Sequence, residues 1–289
     1  MKLKLIALAA MLAATGAAQA KVADSNDRSP NGGDLFANVW SVSNNATYTV
    51  DLGLTLDQFA AGNMNAEGVK LVWDLDAGTF TDMSAAASGI TMTQALNYGS
   101  VFSAFATPAV AGAADLKFEV KAMDGTPTFL PGAGTNRYLS TSFASSITAT
   151  NSQVFAMDNW DVILNASNAD ATHSTHSADL NVAGANMFDA GDAANVNYAA
   201  GGEQWNGAVS FNSAGSVGSD LNFYFLTNSS STGASQASVS KYAGAWSFDV
   251  ATAQLIYATA PVPEAETYAM MLAGLGLVGF MVSRRRKLA

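Results

Sequence analysis

Apolar and polar residues alternate with a period of two in one segment after another of this chain, and that period limits the fold more than any other feature. In TYTVDLGLTL, residues 47–56, it places Tyr48, Val50, Leu52, Leu54 and Leu56 on one side and Thr49, Asp51 and Thr55 on the other. VKLVWDLD at 69–76 aligns Val69, Leu71, Trp73 and Leu75, and WDVILNA at 160–166 aligns Trp160, Val162, Leu164 and Ala166. LKFEVKA at 116–122 sets Leu116, Phe118, Val120 and Ala122 against Lys117, Glu119 and Lys121, the cleanest half-buried pattern of all. Side chains change face at every residue only in an extended strand, so these segments predict β-strands with one apolar and one solvated face.

Further along, Trp205, Val209 and Phe211 share a face. SAGSVGSD at 213–220 then reads as a turn leading into Leu221, Phe223 and Phe225, which predicts a hairpin. The last pair, AWSFDV and QLIYA, is joined through Ala251, Thr252 and Ala253. Helical signal is thin: 83–105 has room for a helix, but Gly89, Gly99 and β-branched residues oppose it. Residues 21–34 read as a polar lead and 165–197 as long loops. The expectation is a mainly β chain, with one antiparallel β-sandwich or jelly-roll-like domain whose core is closed by facing sheets. That domain is flanked by an N-terminal signal peptide and a C-terminal transmembrane helix, for the following reasons.

Lys2 and Lys4 precede an apolar stretch at 5–14, and Ala18 and Ala20 flank Gln19 in an A-x-A pattern. A basic start, a short apolar region and small residues at the end describe a secretory signal peptide, residues 1–20, cleaved after Ala20. Such a segment implies the Sec translocon and signal peptidase as partners. At the other end, residues 268–282 are uncharged, and as a helix they would extend about 22 Å against a hydrocarbon core of about 30 Å. Tyr268 at one interface and snorkelling basic side chains at the other can cover the difference. Arg284, Arg285, Arg286 and Lys287 follow directly and hold the C-terminus on the cytoplasmic side. Gly274, Gly276 and Gly279 weaken the helix, by about 1 kcal/mol each relative to alanine in water. An ordinary single-span anchor remains the alternative on hydropathy alone.

The tail resembles a PEP-CTERM sorting domain. Val262, Pro263 and Glu264 match its motif, YAMMLAGLGLVGF matches its short glycine-rich helix, and RRRK matches its basic end. Ala265 departs from the pattern, standing where a second proline is usual. The resemblance covers residues 262–289 and implies recognition by an exosortase, a membrane-embedded cysteine protease-transpeptidase of Gram-negative bacteria that make exopolysaccharide. It further implies a transient inner-membrane anchor and then a surface or extracellular destination. It carries no information on the fold of residues 21–261.

That body holds 7 basic and 21 acidic residues, hence a net charge of −14. Such a charge opposes nucleic acid and anionic lipid and favours cations. There is no cysteine. A thiol nucleophile, cysteine–zinc sites and disulfides are therefore excluded, and stability has to come from the core and from hydrogen bonds.

Candidate chemistry is sparse. His173 and His176 in HSTH would need Asp170 or Asp179 to complete a metal site, and the surrounding threonines and serines favour a solvated loop. Asp74 with Asp76, Asp158 with Asp161, and Asp189 with Asp192 are the candidates for structural calcium, but none completes a calcium loop. No metal ligand set and no cofactor is therefore assigned. Ser216 sits in AGSVG, close to a nucleophile elbow, yet strands are expected on both sides where the elbow needs a helix. A glycosidase needs two converging carboxylates; Glu119 is expected on a solvated strand face, leaving Glu203 beside Trp205 as the loop-edge candidate. Trp40, Trp73, Trp160, Trp205 and Trp246 are either a sugar-stacking set or core residues, and their alternation with aliphatic neighbours favours the core. The function expected is a non-enzymatic, exopolysaccharide-associated surface or matrix protein. A calcium-dependent carbohydrate-binding module and a secreted polysaccharide hydrolase are the alternatives.

Overall fold

The computed structural model describes residues 32–85, 88–90, 92, 99–125, 132–164, 185–188 (backbone only) and 202–260. Among the described residues eleven strands form one sheet: β1 (Asp34–Ser41), β2 (Ala46–Thr55), β3 (Lys70–Asp74), β4 (Thr79–Asp82), β5 (Lys117–Asp124), β6 (Arg137–Ser142), β7 (Ala185–Phe188), β8 (Gly215–Ser216), β9 (Leu221–Thr227), β10 (Ser238–Asp249) and β11 (Gln254–Ala258). Their order is β4-β3-β11-β10-β9-β6-β5-β1-β2-β7, with β8 pairing the start of β5, and every pairing is antiparallel. Among the described residues four short α-helices accompany it: α1 (Leu56–Ala61), α2 (Gly99–Phe105), α3 (Pro108–Ala111) and α4 (Asn151–Ala156).

The mainly β, antiparallel expectation holds, but facing sheets are replaced by a single sheet that curls over itself. Trp73 of β3 and Leu52 of β2 stand near opposite ends of the strand order, yet the Trp73 indole N–H donates to the Leu52 carbonyl at 3.0 Å. The enclosed core draws on both ends and the middle: Tyr48, Leu52, Leu71, Trp73, Phe118, Phe223, Trp246 and Tyr257 belong to one buried cluster. Trp246 lies between Trp73 and Tyr257, with ring centroids 5.2 and 5.4 Å away. Sheet twist and a bulge supply the curvature. In β2, Leu35 faces Leu54 but Phe36 faces Asp51, so Leu52 and Gly53 are extra residues. Gly53 takes φ +69° there, and the Asp51 carboxylate accepts its N–H at 2.7 Å.

A second apolar cluster covers the outer face of the central strands. It joins Phe36 and Trp40 of β1, Met123 of β5, Tyr138 of β6 and Tyr224 and Leu226 of β9 to Val154, Met157, Trp160, Ile163, Leu164, Trp205, Val209 and Phe211. The covering layer is α4, the 3-10 turn Met157–Trp160 that continues it, and the loop 202–214. Thr150 opens this layer with a capping box: its hydroxyl accepts from Gln153 N–H at 3.3 Å and the Gln153 side chain accepts from Thr150 N–H at 2.9 Å. The middle of the sheet is thus buried on both faces, and this decides the site described next.

Two expected strands and one expected hairpin need correction. WDVILNA is helical through Leu164: Trp160, Ile163 and Leu164 are buried while Val162 is 64% exposed, a spacing of three and four rather than two. Trp205, Val209 and Phe211 lie on the loop that follows the 3-10 turn Gly202–Gln204. The hairpin expected around 213–220 is absent, because β8 pairs β5 whereas β9 pairs β6 and β10. In 83–105 a short helix does form, α2, starting at Gly99. Within 165–197, taken as loops, Ala185–Phe188 forms the edge strand β7. The β10–β11 hairpin is as expected, turning through Ala253 at φ +55°.

Among the described residues no helix is long and apolar enough to cross a membrane. The signal peptide with Ala18 and Ala20, the motif residues Val262, Pro263 and Glu264, the 268–282 segment and the basic residues Arg284, Arg285, Arg286 and Lys287 all lie outside the described residues, as do His173, His176, Asp170, Asp179, Asp189 and Asp192.

Candidate functional site

Glu119 and Lys121 stand two residues apart on the outer face of β5, and both are 0% exposed. The expectation that this face is solvated is overturned. Alternation correctly separated it from Phe118 and Val120, but the layer of α4 and loop 202–214 seals it from water. Two opposite charges in the interior are tolerated only when nearly every polar atom is paired, and here the pairing is extensive.

The Lys121 Nζ lies 2.8 Å from Glu119 Oε1 and donates to the Gly202 carbonyl at 2.6 Å. It also sits 4.3 Å from the Trp160 ring centroid and 4.6 Å from that of Trp205, so two indole faces bracket the ammonium. Glu119 Oε1 accepts a second bond from Asn38 Nδ2 at 3.1 Å, and Oε2 accepts from Ser213 Oγ at 2.5 Å. Asn38 Oδ1 in turn accepts from Thr49 Oγ1 at 2.9 Å. Strand register builds this line: Asn38 of β1 is paired with Glu119 of β5 on one side and with Thr49 of β2 on the other. Hydroxyl, amide, carboxylate and ammonium therefore run across three adjacent strands at one level.

Burial pulls the Lys121 ammonium down to about 8, against the upward pull of Glu119 and, more weakly, Glu203. The lysine so placed is a far better source of neutral amine than a solvated one.

Loop 202–214 is held onto the centre by its backbone. Ser213 N–H donates to the Glu203 carbonyl at 2.7 Å, and Trp205 Nε1 donates to Ser140 Oγ of β6 at 3.0 Å. Trp205, Asn206 and Gly207 adopt φ of +51°, +56° and +80° in succession. For the two non-glycine residues this left-handed conformation costs about 1–2 kcal/mol each, and it is maintained where Trp205 lies over Lys121 and Tyr138, the latter 5.5 Å away edge to face.

Other sequence candidates are placed as follows. Glu203 is half-exposed at the loop surface, ion-paired with Lys117 and accepting from Asn212 Nδ2 at 3.3 Å. Ser216 is an exposed residue of β8, paired with Lys117. All five tryptophans are buried, so none offers a stacking surface. Asp74, at the end of β3, accepts from Ala77 N–H at 2.8 Å, and Asp76 in the turn that follows accepts from Ser103 Oγ at 2.5 Å. Asp158 and Asp161 lie beside Tyr138, whose phenol is pushed up chiefly by burial and then by Asp158, Asp161 and Asp124. Among the described residues no three histidine, aspartate or glutamate side chains come together as a metal site.

Asn38, Glu119 and Lys121 went unrecognised in the sequence as a set. The only signal was opposite charge at a two-residue spacing, which a solvated strand displays equally well.

No curated protein and no solved structure matches this chain. Residues 261–287 match the model of the PEP-CTERM protein-sorting motif. The chain accordingly carries a C-terminal PEP-CTERM sorting motif, which indicates an exported protein processed by an exosortase.

Proposed function

We propose that the chain is a non-enzymatic surface or extracellular-matrix protein, exported through the Sec translocon, trimmed by signal peptidase after Ala20 and handed to an exosortase. Residues 268–282 span the inner membrane transiently, with Arg284, Arg285, Arg286 and Lys287 cytoplasmic. The released β domain serves as a structural or adhesive component associated with exopolysaccharide. The sorting motif at 261–287 carries this reading. Support comes from the net charge of −14 in the body, which keeps a secreted domain soluble. The enclosure of Glu119 and Lys121 also fits a domain whose charged centre serves its own architecture rather than a solute.

The intact mass of the protein from the native host's envelope and medium tests it, compared between wild type and a Pro263→Ala/Glu264→Ala double variant. The wild type is expected to begin at Lys21 and end near Val262, and the variant to keep its arginines in the inner membrane. A wild-type protein that retains Arg284, Arg285 and Arg286 would refute the sorting reading.

A further inference from the structure

We propose that the buried centre is a site of self-modification, in which the Lys121 side chain is joined to the Asn38 side chain by an amide bond with loss of ammonia. Asn38 of β1 and Lys121 of β5 supply the two reacting groups, and Glu119 contacts both.

The geometry is that of an acyl transfer enclosed in a core. Lys121 Nζ and Asn38 Nδ2 approach the same oxygen, Glu119 Oε1, at 2.8 and 3.1 Å, so the two nitrogens are no more than about 6 Å apart. The strands carrying them are neighbours: Asn38 is paired with Glu119, and Lys121 with Phe36. The two reacting residues are therefore diagonal partners on one face, a separation that a lysine side chain spans. Glu119 bridges nucleophile and leaving group, which is where a proton shuttle must stand. Thr49 Oγ1 donates to Asn38 Oδ1 at 2.9 Å, on the oxygen that becomes negative when the carbonyl is attacked. Trp160 and Trp205 exclude water and confine the amine. Lowering of the lysine by burial supplies the neutral form.

The step balances without a co-reactant. One ammonium proton passes from Lys121 to Glu119 inside the ion pair, and the neutral Nζ adds to Asn38 Cγ. The oxyanion on Oδ1 is held by Thr49. Glu119 gives its proton to Nδ2 and takes a second from Nζ. The Cγ–Nδ2 bond breaks as the Cγ–Nζ bond is completed, and ammonia leaves. Ammonia then collects the proton from Glu119, which returns to carboxylate.

The product would tie β1 to β5 at the centre of the sheet. In an exported chain without cysteine, it supplies the covalent restraint that disulfides provide elsewhere.

Peptide mapping of the exported protein decides the matter. Trypsin is expected not to cut after Lys121, and to yield a branched species joining residues 29–70 to residues 118–137, lighter than the sum of the two peptides by one ammonia. Asn38→Ala, Lys121→Arg and Glu119→Ala chains are expected to give the two segments unjoined. Unjoined peptides with normal cleavage after Lys121 as the main wild-type form would overturn the proposal, as would a branched species that persists in Asn38→Ala. The wild-type map is decisive even where a variant fails to fold.

Discussion

Replacing Ser213 by alanine isolates the cost of burying Glu119. The change removes one hydroxyl, leaves the backbone bond from Ser213 N–H to the Glu203 carbonyl, and creates no clash. In the folded protein Ser213 Oγ is 2.5 Å from Glu119 Oε2, and it also lies 3.2 Å from the Gly202 carbonyl and 3.1 Å from that of Glu203. A hydroxyl has one proton to give, and the carboxylate at the shortest distance receives it. Losing a hydrogen bond to a buried charge costs about 1.5–3 kcal/mol, so about 2 kcal/mol is expected. With a urea dependence of about 2–3 kcal/mol/M, the unfolding midpoint should fall by about 0.7–1 M with its slope unchanged. Tryptophan fluorescence reports the transition directly, because Trp160 and Trp205 flank the centre. Ser216→Ala, on the exposed β8 nearby, is the control and should stay within about 0.5 kcal/mol of wild type. If Ser213→Ala behaved like that control, Glu119 would be a solvated carboxylate and the covering role given to loop 202–214 would fail.

Gly244→Ala tests the packing inside the curl: a Cβ there would come 2.3 Å from the Tyr257 ring, and Tyr257 also donates its hydroxyl to the Met64 carbonyl at 2.8 Å. Displacing that ring should cost about 2–4 kcal/mol, read as a lowered urea midpoint. On the alkaline side, a Lys121 that stays a free amine, as in Asn38→Ala, has a folded value of about 8 against 10.5 for an ordinary lysine. The unfolded chain then holds the extra proton between those values, so stability rises with pH across that window; an acylated Lys121 does not titrate, and the wild type should lack the rise. Tyr242, pushed by burial from 10.0 to about 12, and Tyr257, pushed higher still, act in the opposite sense. Their unfolded phenols ionise first, so stability falls above about pH 10 in both chains, as urea midpoints taken across this range would show.

Local pattern and composition determined a good deal of this protein. The period-two rows assigned the inward faces of β2, β3 and β5 correctly, because a strand that packs against a core must present its apolar residues at every second position. The tail at 262–289 was legible because sorting is read from a short linear segment, and the acidic, cysteine-free body excluded whole classes of chemistry outright. Tertiary structure alone decided whether the opposite face of each strand met water. Glu119 and Lys121 carry the polarity of a solvated strand face and lie in the interior, because α4 and loop 202–214, distant in sequence, close over them. Trp160 and Trp205 fit a strand period by coincidence of spacing, while their actual helical turn and left-handed loop follow from packing onto that face. Curling of one sheet, rather than closure by two, likewise depends on Trp73 reaching Leu52 across the molecule, a contact between segments whose separate sequences contain no record of each other.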